Sequence, residues 1–228
     1  MLSPVTRRTG DAERNYTSAT SPRPTLLPRT TPSLDDASLS LSVIVPAFNE
    51  QLRIGGMLDE ALAHLSKTPS RTFEVIVVDD GSSDDTTKVA LQFSKKHRAS
   101  SGADIRIIRL LHNRGKGGAV QHGMLHARGA RLLMVDADGA SRFSDIDDLW
   151  AALDALESTD SAKKGRAVAV GSRAHLVGSE AVVQRSAIRN ALMYSFHFIL
   201  KTLGVGHIRD TQCGFKVRVS HCSTCTSR

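Results

Sequence analysis

The sequence predicts an α/β fold in which helices cover both faces of a mostly parallel, doubly wound sheet. Five short apolar runs alternate with helical segments, which is the pattern of repeated βαβ units. Polar residues follow four of the five predicted strands, where such a sheet places its ligand site. The chain has 228 residues, 40% of them hydrophobic and 23% charged, so it suits one globular domain with a tail.

The first half of the predicted domain consists of three strands and two helices. Each strand is a short apolar run bounded by polar or turn residues. The first helix has leucines at helical spacing on one face, and the second opens at a turn rich in capping residues. In order, we predict a strand at 41–45, a helix at 49–66, a strand at 73–78, a helix from about Asp85 and a strand at 105–110.

The second half continues this alternation. Glycines open its first helix, and four apolar residues form the strand that follows. In order, we predict a helix at 115–128, a strand at 132–135, a helix at 144–157, a strand at 167–170 and a helix at 184–203. The last helix is apolar nearly all round, which favours a buried helix over one that contacts lipid.

The N-terminal residues 1–38 are predicted to be disordered. They contain five of the seven prolines, many serines and threonines, and almost no apolar periodicity. We therefore expect the fold to begin at residue 39 and residues 1–38 to be dispensable for ligand binding. The sequence has no run of 18 apolar residues, so the chain as written is not expected to span a membrane.

The net charge of +7 is concentrated at the C-terminal end. Residues 163–228 carry 11 basic and 2 acidic groups, whereas residues 41–162 carry 14 basic and 17 acidic groups. A basic segment attracts phosphate, whether in nucleic acid, in a lipid headgroup or in a phosphorylated substrate. Only 4% of the residues are aromatic and no nucleic-acid-binding motif occurs, so we expect no nucleic-acid partner.

Two carboxylates, Asp136 and Asp138, directly follow the predicted strand at 132–135. Residues two apart in an extended chain point to the same side. Hard oxygen ligands in this arrangement suit Mg²⁺ or Mn²⁺, which proteins hold with one or two carboxylates and substrate phosphates. A surface turn also uses Asp-x-Asp sequences, but the apolar strand before the pair and Gly139 after it favour the metal.

Two glycine-containing turns follow other predicted strands. Residues 113–118, Asn-Arg-Gly-Lys-Gly-Gly, have the character of a phosphate-binding helix start, although their spacing is not that of a P-loop. Residues 79–82, Asp-Asp-Gly-Ser, suit a plain type I turn with a helix cap equally well. Each segment alone therefore leaves both a ligand-binding turn and a plain turn open.

Together and in this order, four segments resemble the family 2 nucleotide-sugar glycosyltransferases, which have the GT-A fold. They are Pro-Ala-Phe-Asn-Glu at 46–50, Asp-Asp-Gly-Ser at 79–82, the glycine-rich segment at 113–118 and Asp-Ala-Asp at 136–138. The resemblance implies that the nucleotide base and ribose bind to the first two segments and that a metal-bound diphosphate binds to the last. The donor residues so implied are Pro46, Phe48, Asn49, Glu50, Asp80, Lys116 and Gly117, and the metal ligands are Asp136 and Asp138, with Asp138 the more direct ligand.

Three further segments, at 171–176, 184–186 and 208–216, are similar to members that transfer glucose from UDP-glucose to dolichyl phosphate, with inversion, for N-glycan precursor assembly. The resemblance covers about 41–216. It implies a domain at 39–216 that is incomplete at its C-terminal end, followed by a polar tail at 217–228 unlike the family. It also implies a place at the cytosolic face of the endoplasmic reticulum membrane.

The acceptor phosphate of such a reaction needs cations, and the basic C-terminal segment supplies them. Arg185 and Arg189 are spaced i, i+4, so they project from one face of the predicted helix at 184–203. The resemblance adds Arg209 as a further acceptor-phosphate residue and Arg173 as a catalytic one, both in substrate-contacting loops. Arginine suits these roles because its planar guanidinium binds phosphate with two hydrogen bonds.

Two other functions stay open at this point. One is the related reaction that uses GDP-mannose with dolichyl phosphate, which a comparison of the two donors would distinguish. The other is a truncated, inactive form that binds a nucleotide sugar without transferring it. Binding of UDP without glucosyl transfer would identify that form.

Overall fold

The computed structural model describes residues 11–21, 23–27, 37–101, 104–159, 167–171 and 214–219. The chain divides into one compact unit of residues 1–169 and 215–228 and a second unit of residues 170–214, of which Val170, Gly171 and Gly214 are described. The predicted helix at 184–203 therefore lies outside the described residues. Within the described part, no helix has both the length and the apolar character needed to cross a membrane.

Within the described residues, eight strands form a single sheet. They are β1 (Asn15–Ser18), β2 (Thr25–Leu26), β3 (Leu39–Ala47), β4 (Phe73–Asp79), β5 (Asp104–Arg109), β6 (Gly129–Met134), β7 (Val168–Val170) and β8 (Lys216–Val219). Their order across the sheet is β2-β1-β5-β4-β3-β6-β8-β7. The four central strands run parallel, whereas β1 and β8 pair with them in the antiparallel sense. This arrangement confirms the predicted α/β class with a mostly parallel sheet.

In the part of the chain that the structure describes, four α-helices and two short 3-10 helices accompany the sheet. They are α1 (Ile54–Leu65), α2 (Thr86–Ser101), α3 (Gly115–Leu125) and α4 (Ile146–Thr159), with 3-10 helices at Asp11–Arg14 and Phe143–Asp145. The first helix begins later than the predicted residue 49, because Asn49 has a positive φ of 56°, which lies outside the range of a right-handed helix. Helix α3 ends before the predicted residue 128, because Arg128 instead donates to Glu74.

The apolar runs of β3 and β4 form the centre of the core. Val43, Ile44 and Val45 are fully buried, and so are residues 75–78. The two strands pair in register, with Val43 opposite Val75. Because side chains on both faces of these strands are buried, the sequence shows continuous apolar runs rather than the alternation of a half-exposed strand.

Strand β6 lies very close to β3 at Gly129. A Cβ atom at Gly129 would lie 2.4 Å from the backbone nitrogen of Ser42 and 2.5 Å from the carbonyl carbon of Leu41. We expect Gly129→Ala to lower the free energy of unfolding by about 3 kcal/mol, because relief of this clash requires two central strands to separate. Urea denaturation measures the effect.

The matched control for that substitution is Gly56→Ala on α1. A Cβ atom at Gly56 meets no atom within 4 Å, and alanine in a helix is favoured over glycine by about 0.8–1.0 kcal/mol. The control is therefore expected to leave stability equal or raised. A Gly129→Ala protein as stable as the control would contradict the close approach.

A buried charge cluster joins the amino-terminal ends of the central strands. Its centre is Glu74 of β4, which is 0% exposed, and Arg106 of β5 is 1% exposed beside it. One carboxylate oxygen of Glu74 accepts hydrogen bonds from the Ser42 hydroxyl at 2.6 Å and from the Arg128 backbone nitrogen at 2.8 Å. The other accepts from the guanidinium groups of Arg106 at 2.5 Å and Arg128 at 2.8 Å. Glu74 thus links β3, β5 and the segment between α3 and β6.

The N-terminal segment departs from the predicted disorder. Over residues 11–21 and 23–27 the structure shows a 3-10 helix and two strands, and β1 extends the sheet by pairing with β5, with Thr17 opposite Ile107. Glu13 and Leu27 are buried. The segment is ordered by hydrogen bonds to the edge of β5. Its own sequence has too few apolar residues to show a strand period, so the sequence alone predicted disorder.

Helix α3 contacts this N-terminal segment through His122. The ring is buried, and its Nε2 donates to the backbone oxygen of Glu13 at 2.9 Å. Burial lowers the pKa of His122, and the neighbouring His126 adds to this effect. The folded protein therefore favours the neutral imidazole.

This burial predicts a pH dependence of stability. The unfolded chain takes up the proton more readily than the folded one, so stability is fully present above the ordinary histidine pKa of about 6.5 and falls as the pH drops below it. We expect His122→Gln to reduce this loss in urea unfolding between pH 8 and 5. His112→Gln, at an exposed histidine, is the control; an unchanged pH dependence in His122→Gln would contradict the assignment.

The C-terminal part of the described chain also departs from prediction. Residues 217–219, predicted to belong to a polar tail, form most of β8, which pairs antiparallel with β6 so that Val217 lies opposite Leu133. Val217 and Val219 are buried. Their alternation with Lys216 and Arg218 is a period-two signal that four residues are too short to make distinctive. Residues 220–228 lie outside the described residues.

Candidate functional site

A cavity of about 310 Å³ opens at one end of the parallel strands. It lies beyond the carboxyl ends of β3, β4 and β6 and beside the first turn of α3, because parallel strands deliver their following loops to the same edge. Its lining residues are Pro46, Ala47, Phe48, Glu50, Asp80, Asn113, Gly115, Lys116, Ala119, Asp136, Ala137 and Asp138. Polar and charged side chains from four separate loops thus meet in one place.

Most of the site residues predicted from the sequence and described by the structure contribute to this lining. Those that do are Pro46, Phe48, Glu50, Asp80, Lys116, Asp136 and Asp138. Asn49 and Gly117 are not among the lining residues. The four predicted arginines lie outside the described residues: Arg173, Arg185, Arg189 and Arg209.

Asn49 joins two loops instead of facing the cavity. It has a positive φ of 56°, a conformation that asparagine tolerates better than most residues. Its side-chain oxygen accepts a hydrogen bond from the backbone nitrogen of Ser83 at 3.0 Å, and its own backbone nitrogen donates to the Ser82 hydroxyl at 3.0 Å. Asn49 therefore fixes the loop after β3 against the loop after β4.

The next residues along the chain join the loop after β3 to Asp84 in the loop after β4 and to Thr86, the first residue of α2. The backbone nitrogen of Glu50 donates to the Thr86 hydroxyl at 2.8 Å, and that of Gln51 donates to Asp84 at 3.2 Å. These bonds run from backbone to side chain, so they fix the path of the loop rather than only its side chains. As a result, Phe48 and Glu50 are held at the cavity.

Asp80 is a buried carboxylate at the inner wall. Its Oδ1 accepts a hydrogen bond from the backbone nitrogen of Arg114 at 2.7 Å. Burial raises the pKa of Asp80, and hydrogen bonds from the backbone of Arg114 and Gly115 partly offset that rise. An acceptor held in this way suits hydroxyl groups of a ligand, since its carboxylate is already oriented.

Lys116 and Asp136 bring opposite charges together at the cavity. The Lys116 Nζ lies 2.5 Å from the Asp136 Oδ1. Lys116 is in the first turn of α3, and Arg114, the N-cap residue just before this helix, makes no side-chain capping hydrogen bond. The N-terminal end of a helix attracts anions, so this end of the cavity suits a phosphate group.

Asp136 and Asp138 form the acidic side of the cavity. The Asp138 Oδ1 accepts a hydrogen bond from the backbone nitrogen of Ala140 at 2.9 Å. Gly139, which separates Asp138 from Ala140, has a positive φ of 69°. Two hard-oxygen side chains fit Mg²⁺ or Mn²⁺ when phosphates and water complete the coordination. The described residues contain no group of three or more His, Cys, Asp or Glu side chains placed to hold a metal.

Sequence reasoning passed over five lining residues. Asn113 and Gly115 belong to the segment at 113–118, whose sequence alone suits a phosphate-binding turn and a plain turn equally, and Asn113 accepts a hydrogen bond from the Gly115 nitrogen at 2.9 Å. Asparagine and glycine are typical of turns, and this was the signal in the sequence that could have identified both residues. The other three are alanines, Ala47, Ala119 and Ala137, whose small side chains leave room for a ligand and carry no chemical signal in a sequence.

Residues 42–219 match the sequence profile described as Glycosyl transferase family 2. The matched range begins in β3 and ends with β8, so it includes every residue that lines the cavity. The resemblance recognised in the sequence motifs is therefore confirmed at the level of the family.

Two curated relatives are described as dolichyl-phosphate beta-glucosyltransferase. The one from Drosophila melanogaster is 52% identical over 193 residues, which are 82% of this chain and 57% of the relative. The one from Saccharomyces cerevisiae is 47% identical over 193 residues, which are 84% of this chain and 58% of the relative. This chain thus spans less than two thirds of the length of these relatives.

A solved structure with a similar fold is glucosyl-3-phosphoglycerate synthase from Mycobacterium tuberculosis, in complex with Mn²⁺ and UDP-glucose. The match has a TM-score of 0.51 and 20% identity, and it covers 80% of this chain and 57% of that chain. At this identity the likeness concerns the fold, which is the GT-A fold. The sheet, the matched profile and these relatives agree, and the chain belongs to glycosyl transferase family 2.

Proposed function

We propose that this chain provides the donor-binding part of an enzyme that transfers glucose from UDP-glucose to dolichyl phosphate. The observation that carries the proposal is the cavity itself, which combines a buried carboxylate, a lysine at a helix N-terminus and a pair of aspartates. These three features suit the ribose hydroxyls, the diphosphate and the divalent ion of a nucleoside diphosphate sugar. The choice of glucose and dolichyl phosphate is supported by the descriptions of relatives 52% and 47% identical to the chain.

The nucleoside would occupy the side of the cavity formed by the loops after β3 and β4. Phe48 is 46% exposed at this side, so an aromatic face is available for a base. Asp80 offers a fixed acceptor for the ribose hydroxyls, with Pro46 and Glu50 completing this side. These roles agree with those that the motif resemblance implies for the same residues.

The diphosphate would occupy the opposite side, beside α3. Lys116 and the amides of the first helical turn, Gly117 included, offer positive charge to it. Asp136 and Asp138 would hold Mg²⁺ or Mn²⁺, which when bound supplies neutralisation of the leaving diphosphate. Lys116 already pairs with Asp136, so the same ammonium lies within reach of the group that leaves.

The transfer would proceed by direct attack with inversion. An oxygen of the lipid phosphate forms the new bond to the anomeric carbon, while the bond from that carbon to the diphosphate breaks and UDP leaves with the electron pair. A phosphate monoester, whose second pKa is about 6, is already an anion at neutral pH. It therefore needs no general base from the protein, and charge neutralisation is the main task.

The acceptor side of the proposal rests on the basic C-terminal segment. Arg185, Arg189 and Arg209 would bind the lipid phosphate and Arg173 would contact the reacting groups, as the sequence predicts. The acceptor also implies a place at the endoplasmic reticulum membrane, on its cytosolic face. Substituting Arg185 or Arg189 with alanine and measuring dolichyl phosphate and UDP-glucose affinity separately would test this division of roles.

A comparison of the chain's affinities for the two sugar donors tests the proposed function directly. Titration calorimetry of the purified chain with UDP-glucose and with GDP-mannose, each with Mn²⁺, is expected to show binding of UDP-glucose and much weaker binding of GDP-mannose. Preference for GDP-mannose would instead support the mannosyl-transferring alternative. Absence of binding to either donor would contradict the assignment of the cavity.

A further inference from the structure

Glu13 lies beneath the loop that connects β5 to α3, outside the cavity. It is 1% exposed, although the segment that carries it has little apolar character. Its carboxylate accepts a hydrogen bond from the backbone nitrogen of Leu111 at 3.0 Å and forms an ion pair with the guanidinium of Arg114. Its backbone oxygen accepts from the His122 ring. One residue thus contacts both the start of this loop and the helix that follows it.

The loop held by Glu13 is the one that forms the phosphate side of the cavity. Arg114 is bound at two points, because its guanidinium contacts Glu13 while its backbone nitrogen donates to Asp80 at 2.7 Å. Asn113, Gly115 and Lys116 line the cavity on either side of this doubly held residue. A shift of Arg114 would therefore move the lining residues with it.

Burial makes this contact energetically demanding. A buried carboxylate without partners is unfavourable, and it becomes tolerable only when hydrogen bonds and an opposite charge compensate for lost hydration. The loop supplies two of these compensating contacts to Glu13, the hydrogen bond from the Leu111 nitrogen and the ion pair with Arg114. The burial of Glu13 and this conformation of the loop therefore stabilise each other.

We propose that Glu13 is a positioning residue for the donor site: it fixes residues 111–116 so that Asn113, Gly115 and Lys116 converge on the donor diphosphate. The proposal rests on the proposed function for its ligand, but the effect of Glu13 on the loop stands without it. It also reverses the expectation that residues 1–38 are dispensable for ligand binding, since residues 11–27 contain the group that holds the loop.

The first test measures the loop alone. In Glu13→Gln, hydrogen exchange of the amides of residue 111 and residues 114–118 is expected to accelerate by roughly tenfold, the effect of one lost charge-assisted hydrogen bond. The control is Glu60→Gln, because Glu60 likewise accepts a backbone hydrogen bond, from Phe143 at 2.7 Å, but lies away from this loop. Unchanged exchange at residues 111–118 would overturn the proposal whether or not the chain binds a nucleotide.

The second test measures the donor. UDP affinity in Glu13→Gln is expected to fall roughly tenfold relative to the parent chain, while Glu60→Gln binds as the parent does. If the parent itself fails to bind UDP, the proposed function is wrong and the exchange measurement still decides the role of Glu13. Equal UDP affinity in a Glu13→Gln protein whose loop exchanges faster would overturn the positioning role.

A double-mutant cycle separates positioning from a general loss of stability. Arg114→Met removes the other half of the ion pair from its more exposed side, since the Arg114 side chain is 21% exposed and that of Glu13 is 1%. If Glu13 acts through Arg114, adding Glu13→Gln to Arg114→Met should weaken UDP binding little further. Fully additive losses of UDP affinity would overturn the proposed route.

Discussion

Replacing Asp138 with asparagine is expected to abolish metal-dependent binding of the nucleotide sugar while the fold remains intact. Asp138 is exposed at the cavity, and its hydrogen bond from Ala140 at 2.9 Å can be kept by an asparagine oxygen. The substitution therefore removes a negative charge and little else. Because loss of even an outer partner of a metal ligand costs about 10- to 100-fold in metal affinity, loss of a ligand should cost at least about 100-fold.

Titration calorimetry with UDP-glucose, in Mn²⁺ and in a chelator, measures this effect. Asp148→Asn is the control, because Asp148 is an exposed aspartate on α4 and its loss changes the net charge equally. Both variants should unfold at the same urea concentration as the parent. Mn²⁺-dependent affinity that is equal in Asp138→Asn and the parent would show that the pair does not hold the metal.

Glu74→Gln is expected to cause the largest loss of stability among substitutions that keep the side-chain shape. It leaves Arg106 buried at 1% exposure without its carboxylate partner. Removing one partner of a buried ion pair typically costs about 3–5 kcal/mol, since the remaining charge is no longer compensated. The Ser42 hydroxyl and the Arg128 backbone also lose a charged acceptor.

Urea denaturation at neutral pH measures that loss. The control is Asp85→Asn, which breaks an exposed pair in which the Lys88 Nζ lies 3.5 Å from Asp85; exposed helical pairs contribute only about 0.3–0.5 kcal/mol. A similar small change in both variants would mean that Glu74 is not the centre of the charge cluster. Donor affinity, measured under conditions where both variants are folded, should be unchanged because Glu74 lies away from the cavity lining.

The central strands could be predicted from the sequence because their own residues determine them. Strands β3 and β4 contain the apolar runs 43–45 and 75–78, and burial on both faces accounts for those runs. Strands β1 and β8 could not, because each has four residues and becomes a strand by pairing with an edge that is distant in sequence. A sequence read locally shows a strand's composition but not the edge that it will meet.

Some residues of the candidate site could likewise be predicted from the sequence, and others could not. Asp136, Asp138 and Lys116 carry charges in recognisable motifs, and the structure places them at one cavity. Asn49 belongs to an equally recognisable motif, yet its side chain accepts from Ser83, so a motif did not distinguish a lining residue from a loop-fixing one. Glu13 gave no signal, because its contact with Leu111 crosses 98 residues of sequence.

The described part of the sheet ends on both sides in short strands, and short edge strands limit aggregation. The outermost strands of the described sheet, β2 and β7, have two and three residues, so little unpaired backbone is available to recruit another molecule. Residues 11–27 shield β5, whose residues 105–108 are apolar or buried. Removing that segment would bare a regular, largely apolar strand edge, so chains shortened at this end should aggregate through intermolecular strand pairing even where the remaining core can fold.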